Sequence, residues 1–442
     1  MRRGLILLLL LGGMQLILPL GRDVPGSGAL LTLGFLILAA YTVGEITGNF
    51  GFPKLLGYLI AGMIFGPFGL ATVSSGAVVK LTPINQIAVA LIAFVAGAEL
   101  KWADVKRDGP AYARILGVEM PLTFVVVAAA VFLLRDYIPI LGQARVTEVI
   151  VFAMLVAAIA IAHSPAATLG LIKETGARGP VTHHTLGVVL LSDLVLILFF
   201  TVVVASARAI MPPAGGGEPP SLPFVLWEIV GALVVGTVLG LATTAYMRFI
   251  RRELLVFSVI VALLGVEIAR LAHVELLLTL LTAGFVTANA SRIGEELIHS
   301  VERAAAPIFV VFFALSGAAI NIPEVLSIIG VVVPLVIARI LSIWAGTTLA
   351  GRRSGLEPQV ANKIWMGLVA QMGVAIGLAA VIGGVYPHIG PSVQTIALAV
   401  IAINQLIGPV FFKRALTVSG ELSPSAPDER VPLHAPPETA VR

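Results

Sequence analysis

A single aspartate interrupts the apolar run LLSDLVLILFF at residues 190–200. A carboxylate held among apolar side chains is costly unless something pairs with it, so an ionisable residue within such a run is a functional candidate by default. Burial favours the protonated form of Asp193, and a bound cation favours the ionised form. One carboxylate therefore takes either a proton or a monovalent cation, and that competition is sufficient for exchange. Ser192 beside it offers a hydroxyl oxygen, a neutral ligand for a hard cation. Ligation of a metal cation is expected to centre on Asp193.

Two other stretches carry polar groups where an apolar helix has no use for them. AIAIAHSPAATLGLI (158–172) places Pro165 in mid-run, flanked by His163, Ser164 and Thr168. GLVAQMGVAIGLAAVIGG (367–384) is interrupted by Gln371, Gly373 and Gly377. Breaking a helix inside a membrane frees backbone carbonyls and half-helix ends for ions, and paired breaks point to a transport site. Ser164 and Thr168 would add oxygens from the first break. His163 reads as a hydrogen-bonded buried histidine, with tuning of the site's pH response as the alternative.

Arg339, in PLVIARILSIWAG (334–346), is the arginine deep within a run and must have a partner or reach a polar cavity. Asp193, Glu99 and Glu119 are the candidate partners. Asn404 and Gln405 would hydrogen-bond the broken helices or serve as polar packing groups. Glu99, beside Lys101, reads as interfacial, with support of the site as the alternative. Glu267 is spaced to pair with Arg270, with a place at the interface between protomers as the alternative. His183 and His184 read as an ordinary helix start, with pH sensing as the alternative.

The elements that must position these residues follow from composition. Of 442 residues, 58% are hydrophobic and 12% charged, against about 25% charged in soluble domains. Apolar runs of roughly 20 residues, long enough to cross a bilayer, recur from end to end. The fold class is an all-α polytopic membrane protein, which excludes a soluble enzyme. No Walker loop, metalloenzyme spacing or G-x-S-x-G occurs, and no bound cofactor is implied. The absence of cysteine removes disulfides and thiolate metal sites. A net charge of +4 gives no footprint for nucleic acid; the partner is the lipid bilayer.

Spans are expected near 4–21, 28–48, 54–71, 84–100, 110–134, 147–170, 182–206, 223–247, 254–270, 274–290, 305–321, 325–350, 360–386 and 392–412. With the N-terminus inside, cytoplasmic loops hold eighteen Lys and Arg against six outside. That threefold bias orients the chain and puts the C-terminus in the cytoplasm. The first run, MRRGLILLLLLGGMQLILPLG, lacks a clean A-x-A-like cleavage site and reads as a retained extra helix over 1–27. Residues 28–206 would form a first six-helix repeat, 207–253 an outer loop and linking helix, and 254–412 a second, inverted repeat. The Pro- and charge-rich end, 413–442, is expected to be a disordered tail. The architecture is thus thirteen core spans plus one extra helix, with inverted six-helix repeats and crossed discontinuous helices.

Four ordered blocks, GFPKLLGYLIAGMIFGPFGL (51–70), IAFVAGAELKWADVKR (92–107), AHSPAATLGLIKETGARGPVT (162–182) and LGVVLLSDLVLILFF (186–200), resemble the cation/proton antiporter superfamily, in its bacterial sodium/proton and Kef-type branch. The resemblance implies a homodimer in the bacterial inner membrane, in which a core with crossed broken helices moves as an elevator against a dimerisation domain. It implies that Asp193 carries ion and proton and that Arg339 is the basic residue of the eleventh core helix. Ser192 stands where relatives carry Asp or Asn, Ser164 where electroneutral relatives carry an acid, and Val188 where they carry a glutamate. One acid plus Arg339 leans toward electroneutral exchange of sodium or potassium for protons. The alternatives are the membrane subunit of a gated potassium-efflux system or cation channel, with a separate regulatory subunit, and a sodium-coupled organic-anion symporter of related fold.

Overall fold

The computed structural model describes residue 12 and residues 27–212, 222–250, 254–290, 307–372, 374–386 and 388–423. The expected span at 4–21, Gly373, and the chain beyond 423 lie outside them. The chain is built of helices: α1 (Ser27–Asn49), α2 (Lys54–Phe65), α3 (Ser75–Lys80), α4 (Thr82–Glu99), α5 (Trp102–Leu133), α6 (Val146–Ala160), α7 (Pro165–Thr175), α8 (Pro180–Ile210) and α9 (Leu222–Ile250). There follow α10 (Leu254–Ala272), α11 (Leu276–Ala290), α12 (Pro307–Ala318), α13 (Ile322–Ser327), α14 (Ile329–Arg353), α15 (Pro358–Ile364), a 3-10 turn (Trp365–Gly367), α16 (Val374–Val385) and α17 (Gly390–Ser419). Among the described residues, seven helical stretches are long and apolar enough to cross a membrane, and five shorter apolar helices accompany them. This is a multi-pass membrane protein.

Proline opens several of these helices, as at Pro165 and Pro180, where the missing N–H is one that a first turn leaves unpaired anyway. At 31 residues α8 is about 46 Å long, well over the roughly 30 Å hydrocarbon layer, so its ends run past the apolar zone. Both helical interruptions are located more sharply than the sequence placed them. The first spans Ile161–Ser164, with Pro165 restarting the helix rather than kinking it; the second is the non-helical stretch 368–372 between the 3-10 turn and α16. The last helix continues to Ser419, where a tail was expected from 413. Its apolar face keeps paying into the core there, since Ala415 and Leu416 are buried.

The helices pack as two groups. In one, α5 lies along α14, α6 and α8, while α17 packs on α16, α6, α7 and α14. In the other, α11 is clamped between α4 and α9, with α10 alongside. The α4–α11 contact is so close that a Cβ at Gly97 would sit 1.8 Å from Leu281 O, and one at Gly284 would sit 1.9 Å from Phe94 O. The groups meet where α7 touches α4 and α2 and where α17 touches α2. There the Glu174 carboxylate, at the end of α7, accepts from Lys54 N and Leu55 N at 2.7 and 3.2 Å, capping an α2 start that has no side-chain cap of its own. A second carboxylate, Glu421, folds back from the end of α17 and accepts from Val181 N and Thr182 N, both at 2.7 Å, capping α8.

Candidate functional site

The two breaks meet in the middle of the first group. Thr168 Oγ1 donates to Gly367 O at 3.2 Å, and His163 Nδ1 donates to Leu368 O at 2.8 Å. From the other side, Gln371 Nε2 reaches Ile159 O and Ala160 O at 3.1 and 3.3 Å, and Asn404 Nδ2 holds Gln371 Oε1 at 2.8 Å. His163, Thr168, Gln371 and Asn404 therefore tie one interruption to the other rather than lining open space. Gly408 makes this approach possible, because a Cβ there would lie 2.6 Å from Ala370 N.

Arg339 sits at the junction, fully buried. Among the described residues its hydrogen-bond partners are backbone carbonyls, not the carboxylates of Asp193 or Glu119. Nε donates to Ala160 O at 2.6 Å, Nη1 to Val369 O at 2.7 Å, and Nη2 to Ala162 O and Leu368 O at 2.7 and 3.3 Å. All four carbonyls lie at or just past the C-terminal ends of helical segments, where unpaired C=O groups carry partial negative charge. A guanidinium with five fixed donors suits several such acceptors at once. Glu119 is near enough to interact electrostatically, but its hydrogen bonds are to Thr123 Oγ1 at 2.8 Å and His163 Nε2 at 3.2 Å. Glu119 carries no motif, and only its place in the apolar run of α5 marked it.

Asp193 lies on the opposite side of the crossing. It is 6% exposed and its Oδ1 has no hydrogen-bond partner among the described residues. It borders a cavity of about 30 Å³ together with Ser164, Pro165, Ala166, Met372 and Val374. Those five residues are the starts of α7 and α16, and the N-terminal ends of half-helices carry partial positive charge. The crossing is thus divided: negative half-helix ends face Arg339, and positive ends face the carboxylate. The far wall is formed by Val89, Ile92, Ala93 and Ala96 of α4, Leu277 and Leu281 of α11, and Phe312 of α12, so the cavity lies on the seam between the two helix groups. Its volume suits one or two water-sized species, since a single water needs about 10–15 Å³ measured in this way.

The remaining candidates are placed as follows. Ser164 lines the cavity while its Oγ accepts from Ala167 N at 3.2 Å as the cap of α7. Ser192 does not line it; its hydroxyl donates back to Val189 O at 2.7 Å. The side chain of Glu99 lies outside the described residues. Gln405, one residue from Asn404, takes no part in the crossing, and both of its polar atoms are unpartnered among the described residues. His183 contacts Asp108 at 3.0 Å and His184 contacts Tyr112 at 3.1 Å, away from the crossing. Arg270 Nη2 donates to Glu267 at 2.6 Å in an exposed pair.

A family profile described as the transmembrane sodium/hydrogen exchanger matches residues 32–418, nearly the whole helical chain. The chain belongs to the sodium/hydrogen exchanger family. A Na(+)/H(+) antiporter of Enterococcus hirae is 22% identical over 389 residues, covering 86% of this chain and 96% of the relative. Among solved structures, the sodium proton antiporter MjNhaP1 from Methanocaldococcus jannaschii at pH 8 superposes with a TM-score of 0.64 at 15% identity, covering 89% of this chain and 98% of that one. An electron-microscopy structure of the same antiporter gives 0.64 at 16% identity. The exchanger chain thus shares its helical fold with a sodium/proton antiporter, and its relatives are transporters rather than enzymes.

Proposed function

We propose that this exchanger is a secondary-active antiporter that swaps a monovalent cation, Na⁺ or K⁺, for a proton at Asp193. The observation that carries the reading is a buried carboxylate with an unpartnered oxygen, facing a cavity for one small species where two positive half-helix ends converge. Such a group is neutralised by a proton or by a cation, and leaving it bare is costly. Ser164, on the cavity wall, supplies a neutral oxygen to the cation; Ser192 does so only if its hydroxyl turns from Val189 O. Thr168, His163, Gln371 and Asn404 hold the crossing, and Arg339 balances its negative ends. One transported charge on each stroke makes the exchange electroneutral.

The placement of Asp193 on a seam supports an elevator motion, with α5–α8 and α14–α17 sliding against the helices around α4 and α11. In this reading thirteen core spans form two inverted six-helix repeats, the protein is a homodimer in an inner membrane, and the C-terminus is cytoplasmic. The test is reconstitution in liposomes with imposed Na⁺, K⁺ or Li⁺ gradients while lumenal pH is recorded. Wild type moves protons against a cation gradient, and Asp193→Asn slows exchange more than about 100-fold, a loss of roughly 2.7 kcal/mol in the transport barrier. Competition at one carboxylate also raises the apparent cation KM as pH falls, by up to about tenfold for each pH unit. Exchange by Asp193→Asn at the wild-type rate sinks the proposal, and a membrane-potential dye tests electroneutrality.

A further inference from the structure

A larger cavity, about 190 Å³, opens at the end of the bundle that carries the turn at 319–321, which the loop charges mark as the outer end. Its polar lining is Ser316, Asn321, Glu324, Thr395 and Gln405, and no basic residue is among the described lining residues. The Glu324 carboxylate is held against the wall by Asn321 Nδ2 at 2.8 Å and Thr395 Oγ1 at 2.9 Å, and it is exposed at the mouth. At the deep end Gln405 is 1% exposed, and neither its Oε1 nor its Nε2 has a partner among the described residues. Leaving such groups unpaired is costly, so a buried carboxamide beside a roomy cavity is suited to a hydrated ion, with Oε1 free to ligate the cation and Nε2 free to donate to a water of its shell. Met372 borders both this cavity and the small one at Asp193. Its thioether chain is unbranched and turns about three bonds, which suits a movable wall.

We propose that this cavity is a second binding site for a monovalent cation, a waypoint on the outer route. Glu324 gathers the hydrated ion, and Gln405 Oε1 coordinates it as water is shed, before it passes Met372 to Asp193. Carbonyl-type and carboxylate oxygens are the ligands that hard cations take, and a wall without basic residues excludes anions. The inference rests on cation transport through Asp193 and adds where the ion pauses and what it must pass.

The native chain has no cysteine, so Ala402→Cys places a single thiol in the deep wall without background. In proteoliposomes, an impermeant trimethylammonium methanethiosulfonate is compared with its sulfonate counterpart, added on either face. With each rate divided by that reagent's rate on a small free thiol in solution, the cationic reagent is expected to react at least about tenfold faster, the equivalent of 1.4 kcal/mol. The transported cation slows that reaction, Glu324→Gln removes the preference, and modification lowers the exchange rate measured for the same variant beforehand. Equal normalised rates for the two reagents, or no protection by cation, in a variant that still exchanges would overturn the site. Absence of exchange in wild type would instead overturn the antiport reading, while the reagent preference still judges the cavity. If the cysteine variant does not fold, Gln405→Leu decides: the cation KM rises about tenfold with the maximal rate within about twofold. An unchanged KM overturns the proposal.

Discussion

Two residues of opposite charge divide the labour at the crossing, and they are stabilised in different ways. Arg339 has its charge spread over four buried carbonyls, so it is a satisfied group whose removal strands its partners. Lysine at this position is not a conservative change, because one compact ammonium cannot span acceptors that the planar fork reaches together. Arg339→Lys is expected to destabilise the protein by about 2–4 kcal/mol, from unpaired buried carbonyls at roughly 1–3 kcal/mol each with partial relief by the ammonium. The check is thermal unfolding in detergent, and a melting temperature equal to wild type contradicts it. Asp193 is the reverse case: its Oδ1 has no partner among the described residues, and under the proposed antiport that is a cost carried for function. Asp193→Asn should therefore unfold at the same or a higher temperature while exchange is lost. A clear fall in melting temperature would mean that the acid is a structural group.

At the scale of elements, the crossing depends on how closely α17 approaches the second break. A Cβ at Gly408 meets Ala370 N, Cα and Cβ at 2.6–2.7 Å, and two of those are backbone atoms that cannot rotate aside. Gly408→Ala is expected to cost about 1–3 kcal/mol and to impair exchange by shifting the segment that carries Leu368 and Gln371. Gly330→Ala, on α14 where a Cβ meets nothing within 4 Å, is the control and should be neutral or slightly stabilising. Equal behaviour of the two variants in unfolding and transport would remove the close approach from the account. Much at this scale was legible in the sequence. Run length located the helices, and Pro165 with its polar neighbours marked the first break, because few residues tolerate an interrupted helix in lipid. The partners of Arg339 were not legible, because backbone carbonyls exposed by a break have no residue type. Nor was the division between Asn404 and Gln405, since neighbouring helical residues point about 100° apart and only the rotation of α17 decides which faces the crossing.

At the scale of the whole molecule, the question is which contacts must change for Asp193 to face each side in turn. The cavity at Asp193 has α7 and α16 on one wall and α4, α11 and α12 on the other, so the proposed elevator motion along this seam would expose the carboxylate without disturbing the crossing. Glu174 bridges the seam by capping α2 from the end of α7, and those two hydrogen bonds must break if the groups slide. Glu421, in contrast, joins α17 to α8 within one group and can travel with it. This distinction can be tested with reversible disulfide staples in the cysteine-free chain. Ala96 of α4 and Ala166 of α7 both line the cavity, so a disulfide formed between Ala96→Cys and Ala166→Cys ties the two groups together. Oxidation should lower exchange at least about tenfold, and reductant should restore it, because a disulfide holds Cβ atoms within about 4.5 Å. Gly351→Cys with Ala361→Cys is the matched control; a Cβ at Gly351 lies 3.1 Å from that of Ala361, and α14 and α15 belong to one group. That staple should leave exchange within about twofold of its reduced rate, because it restrains nothing that moves. If both staples form and both leave exchange intact, Asp193 reaches the two sides without relative motion of the groups, and access must come from local movement of side chains such as Met372.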